Sequence, residues 1–126
     1  MLRIIFTLGL TTAACLAGYF LSYYKAMDFF AIMLAIITGS FFGFGLVDGR
    51  RDRVLLEAAI AAIIGGLILF AMWKQLWLIA TAYIVHAVWC LLHYPLNVGA
   101  RIPKNYALLF LIFDAGIAGF IFVRFG

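Results

Sequence analysis

Five side chains able to carry a proton or hold an ion lie inside otherwise apolar sequence: Glu57, His86, Cys90, His93 and Asp114. Three of them sit in YIVHAVWCLLHYP, residues 83–95, with the spacing H-x3-C-x2-H. On a helix turning about 100° per residue, His86 and Cys90 differ by about 40° and His86 and His93 by about 20°. The three share one face, with Tyr83 beside them and Trp89 off to one side. His86 and His93 are separated by about 10.5 Å of rise, too far for both imidazoles to reach one ion. The chelating units to consider are therefore His86 with Cys90, or Cys90 with His93. Imidazole, thiolate and carboxylate together suit zinc, copper or iron rather than magnesium or calcium. In this reading His86, Cys90 and His93 are metal ligands, Asp114 is a ligand or orients one, and Glu57 is a general base. The spacing is a weak signature by itself.

The setting explains why such residues are informative. The 126 residues are 68% hydrophobic and 11% charged, and mean hydropathy is +1.19. Soluble chains carry about twice that share of charge, so the chain is read as an all-α polytopic membrane protein of one domain, 1–126. About 20 apolar residues cross a hydrocarbon core of about 30 Å as a helix. Five segments qualify, at about 4–24, 29–47, 54–72, 76–94 and 106–124. The breaks are YKAMD, DGRRDR (48–53), WKQLW and the proline-containing loop 95–105. The first segment also resembles a signal peptide or a lipoprotein cleavage box around Cys15, but its apolar run continues through LAGYFLSYY, which favours a retained helix. With five crossings, Arg3, Arg50, Arg51, Arg53, Arg101 and Lys104 fall on one side, and Lys25, Lys74 and Arg124 on the other. This bias predicts a bacterial-type inner membrane protein with the N-terminus cytoplasmic and the C-terminus outside. The +4 net charge thus reads as a topology signal and not as a nucleic-acid surface. Trp73, Trp77, Tyr19, Tyr23 and Tyr24 fall near the outer interface, and Tyr94 and Tyr106 near the inner one, as amphipathic aromatics do.

Small residues mark expected packing faces: Gly39 and Gly43, then Ala58, Ala62 and Gly66, then Ala115 and Gly119. They are read as close packing within one bundle, with a dimer face as the alternative. The partners expected are the lipid bilayer and either a second copy or a larger membrane complex.

A carboxylate in hydrocarbon is costly and must find partners facing inward. Counted from Tyr94 and Tyr106, His86 and Asp114 each lie about 12 Å deep from the same side, Cys90 about 6 Å and, from Val54, Glu57 about 4.5 Å. His93 is placed near the surface. Two layers follow, His86 with Asp114 deeper, and Cys90, His93 and Glu57 shallower. Such layers serve a metal site, a proton or ion path, or a polar network in which His86 bonds Asp114 and His93 bonds Glu57 or lipid headgroups.

The set Glu57, His86, His93 and Asp114, with Pro95 and Pro103 between the last two helices, resembles a domain-of-unknown-function family of small bacterial integral membrane proteins. That pattern has a glutamate opening the third helix, then H-x3-D-x2-H-H, then an aspartate in the last helix. The resemblance covers roughly residues 50–120. Cys90 stands where the pattern has aspartate, and Tyr94 replaces its second adjacent histidine. The resemblance implies that the polar set forms a shared site, with softer metals favoured by Cys90, and it carries no activity.

Three functions remain in play. The first is a metal-dependent membrane enzyme working near the inner leaflet, although H-E-x-x-H and G-x-S-x-G are absent from the sequence. The second is a proton-coupled carrier or channel, which in 126 residues would require a dimer. The third is a non-catalytic subunit or assembly factor of a larger complex, including a variant in which His86 offers one axial ligand to a haem shared with a partner helix.

Overall fold

The computed structural model describes residues 1–75, 77–93 and 104–125. They form five α-helices: α1 (Leu2–Phe20), α2 (Tyr23–Asp48), α3 (Arg51–Trp73), α4 (Trp77–His93) and α5 (Lys104–Phe125). The all-α bundle expected from composition is present. Helices α1, α2, α3 and α5 are long and apolar enough to cross a membrane. The described part of α4 is a shorter apolar helix of 17 residues, about 25 Å long.

The turns are tighter than the charges suggest. The first break is at Leu21–Ser22 and not at YKAMD. Ser22 has extended backbone and its carbonyl accepts the Ala26 N–H at 2.8 Å. Lys25 and Asp28 lie on the exposed side of α2, where a charge need not end a helix. At 26 residues, α2 is about 39 Å long, so its ends project beyond a core of about 30 Å. DGRRDR likewise contains only a two-residue turn. Gly49 adopts φ 74°, and its N–H caps Gly45, a left-handed stop that glycine takes without steric cost. Arg50 then grips Asp48 through Nε (2.9 Å) and a terminal nitrogen (2.8 Å). The carboxylate beside it holds the exposed Arg50 guanidinium pKa above its ordinary value. The positions expected at Tyr94, Pro95, Arg101 and Pro103 lie outside the described residues.

Two-residue turns force α1, α2 and α3 to run antiparallel in succession. The α4 helix packs against α5, α3 and α2, and more than half of its residues are buried. By contrast α1 buries Thr7, Ala14 and Gly18, rests mainly on α5, and leaves an apolar groove of about 430 Å³ against α2 lined by Ala14, Phe29, Met33 and Ile37.

The small-residue faces also differ from expectation. A Cβ added at Gly39, Gly43, Gly66 or Gly119 would meet nothing within 4 Å, and Ala62 and Ala115 are exposed. These stripes point out of the bundle, because its interior is filled by aromatic and branched side chains such as Phe30, Phe41, Ile64 and Ile117. Close approach occurs elsewhere, at Gly18, where a Cβ would come within 2.4 Å of the Phe30 ring, and at Gly116, 2.7 Å from Thr11 Cγ2.

Candidate functional site

The central position of α4 decides where its polar face goes. Tyr83, His86, Cys90 and His93 are all buried, as the shared helical face requires. Tyr83 donates its hydroxyl to the Phe30 carbonyl at 2.7 Å, which ties α4 to α2 one turn before the site. His86, Cys90 and Asp114 then come together between α4 and α5, at 0%, 1% and 0% exposure. His86 Nδ1 lies 2.5 Å from Asp114 Oδ2. Cys90 Sγ is 3.7 Å from His86 Nδ1 and 3.8 Å from Asp114 Oδ2. One ligand atom from each of the three lies within 4.8 Å of the others.

His93 is not part of this group. Its Nε2 is 2.7 Å from Glu57 Oε1, with the oxygen off the line of an N–H hydrogen bond. Glu57 Oε2 accepts the Trp89 indole N–H at 3.0 Å, and the Trp89 and His93 rings meet edge-on at 4.8 Å. Glu57, expected as a general base, is thus placed in a buried pair of its own, on α3 against α4.

Two layers exist, His93 pairing with Glu57 in the shallower one as expected, but Cys90 joins His86 and Asp114 in the deeper one. Side-chain direction is the reason. Along a helix the Cα–Cβ bonds tilt towards the N-terminus. On α4 that direction leads away from the end carrying His93, so Cys90 reaches back to His86. Asp114 lies on α5, whose N-terminus is at the opposite end of the helix from α4's, and leans towards Cys90.

Phe41 of α2 joins the layers, with its ring 4.7 Å from that of His86 and 5.5 Å from that of His93. Tyr106, expected only as an interfacial aromatic, contacts Phe41 at 5.7 Å and hydrogen-bonds Ser40 at 2.8 Å. Trp89 is the site residue that sequence reasoning passed over. Its signal was the i,i+4 relation to His93, which places the two about 40° apart.

A tetrahedral zinc ion has N and O ligands at about 2.0–2.1 Å and thiolate at about 2.3 Å. These lengths put sulfur about 3.6 Å from the nitrogen or oxygen ligand, and nitrogen about 3.3 Å from oxygen. Both sulfur distances fit as they stand. The His86–Asp114 separation must open by about 0.8 Å, and among the described residues Asp114 Oδ1 has no hydrogen-bond partner to resist rotation of the carboxylate. His86 Nε2 is also buried without a hydrogen-bond partner among the described residues. Comparison with family models, with curated proteins and with solved structures gives no match.

Proposed function

We propose that this chain is an integral membrane protein that holds a transition metal between α4 and α5, bound by His86 Nδ1, Cys90 Sγ and Asp114 Oδ2. The observation that carries the reading is their convergence within 4.8 Å, fully buried, with sulfur distances already suited to a thiolate-bound ion. A nitrogen, a sulfur and an oxygen donor favour zinc, copper or iron. Three protein ligands leave a fourth position for water or substrate, so a metal-dependent membrane enzyme is the finer form of the proposal. Exposure of 0–1% at all three residues favours a retained ion over a centre open to bulk water. Burial of the polar set fits the family resemblance seen in the sequence, and the excess of arginines at the α2–α3 turn supports a cytoplasmic N-terminus.

A second reading is favoured by the 2.5 Å contact between His86 and Asp114, in which the pair shares a proton and is structurally complete. Element analysis of the purified chain, with Cys90→Ala, His86→Ala and Asp114→Ala beside it, separates the two. The metal reading expects about one ion per chain and its loss in each variant. Substoichiometric metal that is indifferent to all three changes decides for the proton-sharing pair.

A further inference from the structure

The outward side of α2 and α3 carries a groove that the bundle leaves unfilled. Two adjoining hollows, of about 240 Å³ and about 210 Å³, share Ala35 and Ile68 and follow the seam between the two helices. On α2 the lining residues Asp28, Ala31, Ala35, Thr38 and Phe42 recur at alternating steps of three and four. On α3 the lining residues Ala61, Gly65, Ile68 and Met72 do the same. This spacing makes a seam into which a further helix can set its side chains. From Asp28 to Phe42 the seam rises about 21 Å, most of a hydrocarbon core of about 30 Å. A Cβ at Gly39 or Gly65, both in the groove, would meet nothing within 4 Å, so another backbone can come close.

Thr38, in the wall of this groove, is 7% exposed, and its hydroxyl has no hydrogen-bond partner among the described residues. Thr7, Thr11 and Thr12 each donate to the carbonyl four residues back, and Ser40 to the one three residues back. Thr38 alone of these five leaves its own helix unused. An unpaired hydroxyl is costly away from water, so whatever fills the groove should bring an acceptor. A lipid acyl chain brings none, and Asp28 at the groove's end repels a phosphate headgroup. A helix brings backbone carbonyls, which glycine leaves uncovered.

We propose that the occupant is a second copy of this chain, with α2 of each copy laid in the α2–α3 groove of the other and crossing near Gly39 and Gly43. The glycines strip α2 to its backbone beside Thr38, where an acceptor is needed. In a two-fold pair of chains in the same orientation, equivalent levels meet. Asp28 then comes to the level of Lys25 and Lys74 of the other copy, because α2 begins at the end where α3 stops. All three are exposed, and none enters an ion pair among the described residues. Gly39 is about 16 Å of rise from Asp28, so a crossing of about 40° keeps the two Asp28 carboxylates apart.

The test is energy transfer between separately labelled full chains in lipid vesicles, followed as lipid dilutes the protein. Wild type should associate as a dimer. Gly39→Leu fills the groove without touching the bundle and should weaken association by at least about tenfold. Thr38→Val keeps the shape, removes the hydroxyl from both copies, and should weaken it by about tenfold. Gly119→Leu adds the same bulk at an equally open glycine on α5 and should stay within about twofold of wild type. A wild type that remains monomeric at every dilution overturns the proposal. So does wild-type association of Gly39→Leu, or equal weakening by Gly119→Leu, which makes bulk anywhere on the surface sufficient. Thr38→Val that associates like wild type overturns the hydroxyl's place in the interface.

Discussion

The chain buries two histidine–carboxylate pairs along one face of α4, and they are built differently. In the deeper pair Asp114 spends one oxygen on His86 and leaves Oδ1 without a hydrogen-bond partner among the described residues, and a thiol stands 3.7–3.8 Å from both members. In the shallower pair Glu57 meets His93 with one oxygen and accepts from Trp89 with the other, and the indole ring also walls in the imidazole. The same two functional groups thus yield a cluster with unused ligand atoms in one place and a carboxylate bound at both oxygens in the other. The capacity for an ion comes from what surrounds a buried pair: a soft donor and a carboxylate free to turn.

The largest expected difference lies in stability. Removing one partner of a buried ion pair typically costs about 3–5 kcal/mol. Asp114→Ala should fall in that range, since Asp114 is fully buried and His86 Nδ1 would lose the carboxylate it meets at 2.5 Å. Glu57→Ala should cost less, about 2–3 kcal/mol, because Glu57 lies only six residues from the start of α3. Unfolding in mixed micelles measures both, and equal losses would erase the distinction between the pairs.

Trp89→Phe tests the shallow pair alone. It keeps most of the ring packing and removes the donor to Glu57 Oε2, so a loss of about 2 kcal/mol is expected, as for a buried acceptor deprived of its donor, with metal content unaltered. A change in metal content instead would mean that the two layers act as one site.

Cys90→Asp sharpens the deep pair. It puts a hard donor where the thiol stands, and the preference for zinc over manganese should fall by at least about tenfold in competition binding. Selectivity equal to wild type would show that Cys90 does not touch the ion.

Much of this was legible from the residue pattern. The common face of His86, Cys90 and His93 follows from helical spacing, and the meeting of His86 with Asp114 follows from their matched depth. The place of Cys90 did not follow, because depth counted along a helix axis places Cα atoms, whereas the tilt of its Cα–Cβ bond carries Cys90 back towards His86. Trp89 was passed over because it lies about 60° from His86, off to one side of the stripe, although only about 40° from His93. The first turn was misplaced because Lys25 and Asp28 attract attention as charges, while Ser22, a residue type favoured at helix starts, marks the break without any. The outward stripe of Gly39 and Gly43 shows a further limit: small-residue spacing identifies a face able to pack closely, but only the surrounding large side chains decide whether the bundle uses it.

The smallest expected effect belongs to the wall the two pairs share. Phe41 is 1% exposed and sets its ring against both imidazoles, with Tyr106 and Phe110 behind it. Phe41→Leu keeps an apolar wall and loses two edge-to-ring contacts, each worth about 0.5–1.5 kcal/mol at most, in exchange for a side chain that can partly refill the space. A net loss of about 1 kcal/mol is expected. Because Phe41 supplies no donor atom, the metal content should hold. Because it contacts both rings, the chemical shifts of His86 and His93 should both move in spectra of the labelled chain. A shift confined to one histidine would mean that Phe41 belongs to that layer alone, and the two pairs would then be independent sites that happen to share a helix.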